Sequence, residues 1–479
     1  MIAAVALDLG TTAIKAGLLS ADGELSGVVS QPAPAIAAEG GRYESDAIAY
    51  AEAAEAVLAA CLSQTSARPP LGLCSQRSSF LIWERAGGKP VTPLISWQDD
   101  RGAASCGALG DCEHIIRGLT GLPLTPYYLA PKLRVLLREN PTWREHLQSG
   151  AWLLGTLDTF LIWRWTGGKQ YCTDVSMAAR TLLMDVHTQR WSPALCELFD
   201  VPFEALPQIN PSAGLGLPLD NGLVLQASMG DQSAALVASI GSGQPEALVN
   251  LGTGGFVVCY LPEGRKAPDG YLQTLVWQDA ARRVHLACEG TLNSIAAALA
   301  PYPVGACRVE ELASDDIFCL AEPSGLGAPY FTSSRNTACL PEPLRSDPGL
   351  TFSEPVDHLP PHRIALLLQE GIIFRVARIL EDFQREFAIE RVHLSGGLSA
   401  LPCLQQGIAQ CVPLATYRLS QPDTSLMGTA QLAAGMLAGA GGKSERIDVA
   451  QDRQRLSGKY RRWKTWLDGL LSRSRAGEY

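Results

Sequence analysis

The chain has 479 residues, of which 47% are hydrophobic and 18% charged, and its net charge at pH 7 is −9. This length exceeds what one ordinary core holds, so we expect a globular protein of two or more domains. The scattered Lys and Arg argue against a nucleic-acid partner, and no apolar run is long enough to span a membrane. The thirteen cysteines include no CxxC pair, and no signal peptide is evident, so we expect a cytoplasmic protein with reduced thiols.

The first predicted element is an apolar strand, residues 5–9, which a polar turn joins to a second strand, residues 13–19. The turn is Gly10-Thr11-Thr12, and Asp8 stands at the end of the first strand. Amides and hydroxyls suit phosphate oxygens, and a carboxylate suits a hydrated Mg²⁺. A Gly-Thr turn can also simply join two strands, so this segment alone leaves a phosphate site and a plain hairpin open.

Polar side chains follow two of the next strands. The elements predicted here are strands at residues 25–30, 71–74, 80–83 and 94–97 and a helix at 46–62. Arg77 follows the strand at 71–74, and its guanidinium can bind vicinal hydroxyls. Trp97 ends the strand at 94–97 and offers a flat apolar wall for a sugar or polyol, on what we expect to be the same sheet. Asp99 either binds the substrate or pairs internally with Arg101.

A carboxylate stands at the start of a helix near the middle of the chain. The elements predicted before it are a helix at 131–139, a strand and helix within 152–165, a connector at 202–218 and a strand at 223–227. Asp231 then begins an apolar helix, where it is either an N-cap or a base that takes a proton from an attacking hydroxyl. Asp158 and Asp174 are interpreted as caps or local pairs.

The second half of the chain repeats the opening hairpin. A strand at residues 247–251 leads to Gly252-Thr253-Gly254 and another strand, which predicts duplicated lobes with a nucleotide cleft between them. The later predicted elements are a helix headed by residues 289–293, a long helix at 363–387, a strand at 390–394, a helix at 425–437 and a solvated amphipathic helix at 453–475. Gly396-Gly397 follows the strand at 390–394 and leaves bare backbone that an adenine or ribose can approach.

In this order, the motifs resemble the FGGY family of carbohydrate kinases over nearly the whole chain. They are Asp8-Leu9-Gly10-Thr11-Thr12, Trp97-Gln98-Asp99-Asp100-Arg101, Gly230-Asp231-Gln232, Gly252-Thr253-Gly254 and Gly396-Gly397. The resemblance implies an α/β, two-lobed, actin/hexokinase-like (ribonuclease H-like) duplicated fold with mixed β-sheets flanked by helices. It places the N-terminal lobe at 1–226, the C-terminal lobe at 227–440 and a helical tail at 441–479.

The resemblance also implies transfer of the ATP γ-phosphoryl group to a sugar or polyol hydroxyl, with Mg²⁺. Asp231 would be the catalytic base. The residues implied at the ATP site are Thr11, Thr12, Lys15, Gly252, Thr253, Gly396 and Gly397, and those at the metal are Asp8 and Asp231. The residues implied at the substrate site are Arg77, Ser78, Trp97, Asp99, Tyr127, Asp231 and Gln232.

The substrate-site residues are most similar to the glycerol-kinase branch of the family, but the chain departs from that pattern. Ser78 replaces a Glu that follows the Arg, which we interpret as leaving room for a longer substrate. Val135 replaces a Trp, and residues 335–352 fit the second-lobe signature poorly. The alternatives are a ketose kinase of the xylulose or ribulose type, an actin- or chaperone-like ATPase, and an inactive sensor. A small sugar or polyol is the expected partner, and a homodimer is a candidate assembly.

Overall fold

The computed structural model describes residues 1–331, 345–346, 349–420, 423–436, 444–449 and 453–476. Its contacts divide the chain into two compact units. The first consists of Met1–Ala238, Thr274–Leu286 and Asp423–Ala440, and the second of Ser239–Gln273, Ala287–Pro422 and Gly441–Tyr479. The functional boundaries at residues 226 and 440 stay predictions. In the described parts of the chain, every helix is too short or too polar to cross a lipid bilayer.

The elements up to residue 239 supply most of the first unit. Their strands are β1 (Ile2–Leu9), β2 (Ala13–Ser20), β3 (Leu25–Pro32), β4 (Ala37–Glu39), β5 (Arg42–Ser45), β6 (Leu71–Ser75), β7 (Phe80–Glu84), β8 (Leu94–Ile95), β9 (Trp152–Thr156), β10 (Cys172–Asp174), β11 (Met184–Asp185), β12 (Arg190–Trp191), β13 (Gln208–Asn210), β14 (Ala213–Pro218) and β15 (Val224–Gly230). Their helices are α1 (Ala47–Leu62), α2 (Ala103–Ala108), α3 (Glu113–Thr120), α4 (Leu129–Glu139), α5 (Trp143–Gln148), α6 (Leu157–Trp165), α7 (Val175–Ala178), α8 (Pro193–Leu198) and α9 (Asp231–Ser239).

The remaining elements follow residue 245. Their strands are β16 (Glu246–Leu251), β17 (Gly255–Tyr260), β18 (Leu272–Gln278), β19 (Val284–Leu292), β20 (Cys319–Leu320), β21 (Arg345–Ser346), β22 (Leu350–Phe352), β23 (Arg391–Ser395), β24 (Ala415–Leu419) and β25 (Ser444–Arg446). Their helices are α10 (Ile295–Leu299), α11 (Pro361–Phe387), α12 (Pro402–Cys411), α13 (Thr424–Ala434) and α14 (Arg453–Ala476).

The central sheet of the first unit has the strand order β14-β15-β6-β1-β2-β3. Strand β1 is antiparallel to β2 and parallel to β6, which is in turn parallel to β15. In this register Ser75 pairs with both Leu9 and Gly230, so the carboxyl ends of three parallel strands lie side by side. Three segments therefore leave the sheet at the same edge. They are the turn after Leu9, the segment after Ser75, and the start of α9 at Asp231.

Helices cover both faces of this sheet because the side chains of β1 alternate between them. Val5, Leu7 and Leu9 belong to one apolar cluster with the buried face of α1. Ala4 and Ala6 belong to another, with Leu426 and neighbouring residues of α13. Helix α1 begins as predicted, since the Asp46 side chain accepts the amides of its first turn.

A second sheet of the first unit, in the order β4-β5-β8-β7-β9, carries part of the candidate site. The prediction that Arg77 and Trp97 follow strands of one sheet is wrong, because β6 belongs to the central sheet and β8 to this one. The two strand ends still meet, since the Trp97 amide donates to Ser79 Oγ at 3.0 Å.

The second unit contains the neighbouring strands β17-β16-β23-β24-β25 of a seven-stranded sheet. Here β16 is antiparallel to β17 and parallel to β23, which is parallel to β24. This is the pairing that β1 makes with β2 and β6 in the first unit. The internal repeat predicted from the two Gly-Thr turns is therefore confirmed at the level of strand pairing.

Two expectations for the second half are wrong. Residues 289–293 do not head a helix, because β19 runs to Leu292 and pairs with β17, and α10 spans only Ile295–Leu299. The tail is helical, but α14 is not simply solvated, since Trp463 lies fully buried in the core of the second unit. The segment 332–344 and residues 347–348, which include most of the poorly fitting signature, lie outside the described residues.

Candidate active site

The first feature of the site is the turn Gly10-Thr11-Thr12 between β1 and β2. A Cβ added to Gly10 would lie 2.7 Å from the Ala13 carbonyl oxygen, so only glycine fits this close approach. Thr12 is exposed, and the Thr11 hydroxyl accepts a hydrogen bond from the Trp97 indole Nε1 at 2.9 Å. The turn therefore presents one open threonine and one that is already linked to the predicted substrate wall.

Lys15 lies opposite Asp8 in the register of β1 and β2. Its Nζ lies 2.6 Å from Asp423 Oδ1, and both side chains are partly exposed. Lys15 was expected at ATP. The structure gives its ammonium a carboxylate partner within the first unit, so binding a phosphate oxygen would require Lys15 to share or leave that partner.

Asp8 is the candidate metal carboxylate. Its Oδ2 accepts a hydrogen bond from Ser425 Oγ at 2.6 Å, whereas its buried Oδ1 has no hydrogen-bond partner among the described residues. Burial raises the pKa of Asp8 to about 6, and the Ser425 hydroxyl opposes that shift. A buried acceptor oxygen without a donor fits Mg²⁺ or a water molecule in its shell. The described residues contain no cluster of three or more His, Cys, Asp or Glu that could hold a metal ion.

Asp231 is the first residue of α9, beside Arg77. Its Oδ1 lies 3.8 Å from Arg77 Nε and accepts the amide of Gln232 at 2.7 Å. The Gln232 side-chain oxygen accepts a further hydrogen bond from Arg77. Burial raises the pKa of Asp231 and the Arg77 charge opposes this, with Arg180 acting in the same sense as Arg77. A carboxylate in this environment can accept a proton while an arginine fixes its position.

The predicted wall of the substrate site is aromatic. The ring of Tyr127 lies 5.5 Å from that of Trp97, and Tyr127 packs edge-on against Tyr128 at 5.1 Å. Lys132, which is fully buried, donates to the carbonyl oxygens of Ser96 and Trp97 at 2.8 and 3.1 Å. The structure therefore brings Trp97 and Tyr127 together, and Lys132 fixes the backbone of Trp97.

Two predicted substrate residues are occupied by internal contacts. Asp99 is buried and accepts hydrogen bonds from the Tyr43 amide and from the Arg101 amide and guanidinium. This arrangement favours the internal Asp-Arg pair over substrate binding. Ser78 is buried, and its Oγ donates to the Arg180 carbonyl oxygen at 2.9 Å rather than lying idle in an enlarged pocket.

The nucleotide residues expected in the second unit lie close to one another. The Gly252 amide donates to the Gly254 carbonyl at 2.8 Å, which closes the turn, and Thr253 is exposed. Asn250 pairs with Ser395 in the parallel register, so Gly396 follows close to this turn. Gly396 has φ 87°, and an added Cβ would lie 2.4 Å from the Leu251 carbonyl oxygen, which explains the glycine.

Four side chains to which the sequence assigned no role in the site are buried in the structure. They are Tyr50, Gln76, Lys132 and Arg180. Gln76 directly precedes Arg77 in the sequence and Lys132 closely follows Tyr127, so their position was the available signal. Their partners are distant in sequence, and only the folded chain identifies them.

Comparison with known proteins agrees with this geometry. Residues 3–234 match the N-terminal domain of the FGGY family of carbohydrate kinases, and residues 247–437 match its C-terminal domain. The chain is 31% identical to a glycerol kinase of Rhodopirellula baltica, with 97% of this chain and 92% of the relative covered. It is also 31% identical to an apulose kinase of Pectobacterium atrosepticum, with 90% and 89% covered.

The fold has solved counterparts. The crystal structure of Plasmodium falciparum glycerol kinase with ADP superimposes with a TM-score of 0.83 at 20% identity and covers 98% of both chains. The predicted two-lobed, actin/hexokinase-like α/β fold is thereby confirmed. The chain belongs to the FGGY family of carbohydrate kinases and is an enzyme that phosphorylates a sugar or polyol with ATP.

Proposed function

We propose that Asp231 is the general base of this kinase and that its acceptor is a small polyol or ketose bound against Arg77 and Trp97. The observation that carries the proposal is the position of Asp231 at the carboxyl edge of the central sheet, in contact with Arg77 and at the same edge as the turn that follows Asp8. Phosphoryl transfer depends on positioning and charge stabilisation, and a base at this edge can meet both the acceptor and the phosphate turn.

In this proposal several side chains share the work of binding and proton transfer. The acceptor hydroxyl donates its proton to the Asp231 carboxylate as its oxygen bonds to the γ-phosphorus and the bond to the ADP oxygen breaks. Arg77 and Gln232 hold the carboxylate in place. Thr11 and Thr12 are proposed to bind the transferred phosphoryl group. In the second unit, residues 252–253 and 396–397 are proposed to bind nucleotide. Bound Mg²⁺, held through Asp8 and Asp231, would neutralise phosphate charge.

The acceptor class rests on the aromatic wall and on two kinds of relative. Trp97 and Tyr127 offer apolar faces that suit the carbon chain of a polyol, and Arg77 offers donors to its hydroxyls. One relative is named a glycerol kinase and another, at the same identity, an apulose kinase. A ketose is therefore the second candidate, and only an acceptor screen separates the two.

The test is a coupled ADP-release assay with glycerol, four- to seven-carbon polyols, xylulose and ribulose. We expect one class to stimulate ADP release and Asp231→Asn to lower kcat by roughly 10²–10⁴-fold, the range for loss of a general base. Asp22→Asn, at an exposed turn, is the matched control and should behave as the wild type. No stimulation by any acceptor would refute the acceptor class, and full activity of Asp231→Asn would refute the base.

We also propose a reducing, cytoplasmic location. The support is that all twelve cysteines among the described residues are free thiols, and most are buried.

A further inference from the structure

The Trp97 indole and the phosphate turn share one hydrogen-bonded ring. From one side of the tryptophan, Nε1 donates to Thr11 Oγ1 at 2.9 Å, and that hydroxyl donates to Gln76 Oε1 at 3.2 Å. From the other side, the Trp97 amide donates to Ser79 Oγ at 3.0 Å, and Ser79 Oγ donates to the same Gln76 Oε1 at 2.9 Å. Both paths from Trp97 therefore end on one carbonyl oxygen.

Gln76 is also tied to the far side of the turn. Its Nε2 donates to the Tyr50 hydroxyl at 3.3 Å, which donates to the Gly10 carbonyl at 2.5 Å. Its backbone amide donates to the Leu9 carbonyl at 3.0 Å. Gln76 and Tyr50 are 3% and 2% exposed, so water competes little for these bonds. Gln76 thus contacts Thr11 and Leu9 directly, Gly10 through Tyr50, and the Ser79 hydroxyl that accepts the Trp97 amide.

The chemistry of Thr11 makes this ring responsive to a phosphate. A hydroxyl has one hydrogen, and here Thr11 gives it to Gln76. A phosphate oxygen beside Thr11 either takes that hydrogen from Gln76 or uses the backbone amides and leaves negative charge next to the hydroxyl. In both cases the electron density or orientation of Thr11 Oγ1 changes, and the Trp97 indole N–H donates its hydrogen bond to that oxygen.

We propose that Gln76 is a positioning residue that couples the phosphate turn to the acceptor wall, so that nucleotide bound at Thr11 and acceptor seated on Trp97 sense each other through the ring. The proposal rests on the roles proposed above for Thr11 and Trp97. It assigns Gln76 no contact with either substrate. Its action is to hold Thr11, Ser79 and Tyr50 in one arrangement.

The test uses the full chain labelled with ¹⁵N-tryptophan, in which each of the ten tryptophans gives one indole signal and Trp97→Phe identifies that of Trp97. The probe is AMP-PNP with Mg²⁺. We expect it to shift the Trp97 signal in the wild type, and Gln76→Leu to remove at least half of that shift while still binding AMP-PNP. Thr92→Val is the matched control, because Thr92 Oγ1 is a buried hydroxyl that accepts the Ile82 amide at 3.0 Å outside the ring. It should respond as the wild type does.

Calorimetry separates the possible failures. Absence of AMP-PNP binding in the wild type would refute the proposed nucleotide role of the turn, and the coupling with it. Binding that leaves the Trp97 signal unmoved, or that moves it equally in Gln76→Leu, would overturn the coupling alone. If Gln76→Leu does not fold, Ser79→Ala opens only one arm of the ring, and an undiminished Trp97 shift in that variant would also overturn the proposal.

Discussion

Ser78 has an unusual backbone conformation for a serine, with φ 65° in the left-handed region. Such a conformation costs a non-glycine residue about 1 kcal/mol or more. The hydrogen bond from Ser78 Oγ to the Arg180 carbonyl oxygen offsets part of this conformational free energy. The serine therefore braces the segment after α7 against the end of β6. The missing Glu of the glycerol-kinase branch is replaced by a structural contact.

Restoring a carboxylate at this position should change the acceptor preference. We predict that Ser78→Glu raises kcat/KM for glycerol relative to longer acceptors, because a carboxylate beside Arg77 can accept hydrogen bonds from a small polyol. The measurement is the coupled assay with glycerol and each longer acceptor. Ser78→Ala is the control for loss of the brace, and equal preferences in the two variants would show that the carboxylate has no such effect.

Lys132 shows how the wall depends on a buried amine. Burial lowers the pKa of Lys132 to about 7, and the nearby Asp99 carboxylate opposes this while Arg101 adds to it. Its two bonds run to the carbonyl oxygens of Ser96 and Trp97. A neutral amine still has two N–H groups, so the contacts that hold Trp97 survive deprotonation.

This lowered pKa predicts a pH-dependent stability. Between pH 7 and the unfolded value near 10.4, the unfolded chain binds more protons at Lys132 than the folded chain, so stability rises with pH. We predict that the wild type gains free energy of unfolding over Lys132→Met between pH 7.5 and 9, by at most about 1.4 kcal/mol per pH unit. Urea denaturation of both proteins at each pH measures this, and a difference that stays flat would contradict the lowered pKa.

At the scale of elements, the short helix α7 connects a buried carboxylate to the strand that directly precedes Asp231, the proposed base. Asp174 caps α7 by accepting the amides of Ser176 and Met177, and it also accepts the hydroxyl of Ser212 at 2.6 Å. Ser176 Oγ donates to Asp174 at 3.0 Å and accepts the Gly230 amide at 2.9 Å. Because Gly230 directly precedes Asp231, this chain fixes the end of β15. The cap predicted for Asp174 is confirmed, and Asp174 also binds Ser212 and, through Ser176, supports the Gly230 amide.

We predict that Ser176→Ala lowers kcat about tenfold and changes KM little, because it leaves the Gly230 amide without its acceptor and loosens the base. Steady-state kinetics with the best acceptor measures the two constants. Ser212→Ala is the matched control, since it removes another hydrogen bond to Asp174 without touching Gly230. An equal loss of kcat in both variants would assign the effect to general destabilisation.

The sequence predicted most of the elements that reach the site, because their apolar periods and turn residues are local signals. The hairpin around Gly10, α1, the long helix α11 and the helix at Asp231 follow such patterns. Predictions failed where hydrogen-bond pairing between strands distant in sequence determines the structure. Residues 289–293 look like a helix start but pair with β17, and β6 and β8 separate into two sheets.

The candidate site divides in the same way. Asp8, Arg77 and Asp231 stand at or directly after strand ends, and the local sequence pattern predicts those strands, whereas their common edge follows from the strand pairing. The pairing of Asp99 with Arg101 is local and is one of the two alternatives in the sequence, whereas its hydrogen bond from the Tyr43 amide depends on chain segments that meet only after folding. The same holds for Gln76, whose direct partners extend from Leu9 to Ser79.

At the scale of the whole molecule, the first unit is completed by a segment from the far end of the chain. Leu426 of α13 is fully buried and clusters with Ala4, Ala6 and Leu19. An added Cβ on Gly428 would lie 1.9 Å from the Ala234 carbonyl oxygen, so α13 also packs closely on α9. Ser425 binds Asp8 although the two are 417 residues apart.

This packing predicts a long-range effect of one core substitution. Leu426→Ala should destabilise the first unit by about 2–5 kcal/mol, the usual cost of such a cavity. Hydrogen exchange followed by mass spectrometry should show faster exchange in β1 and β2, while β16 of the second unit serves as the internal reference. Faster exchange confined to α13 would show that the helix contributes little to the central sheet.

The return of α13 also sets an order for folding during synthesis. The strands of the first central sheet are complete once residue 230 has been made, yet the helix that covers one face of β1 follows only after residue 423. At a synthesis rate of about 5–20 residues per second, that face stays open for roughly 10–40 s. The nascent chain therefore carries one uncovered apolar face of this sheet, on which chaperones can act, until most of the second unit has been synthesised.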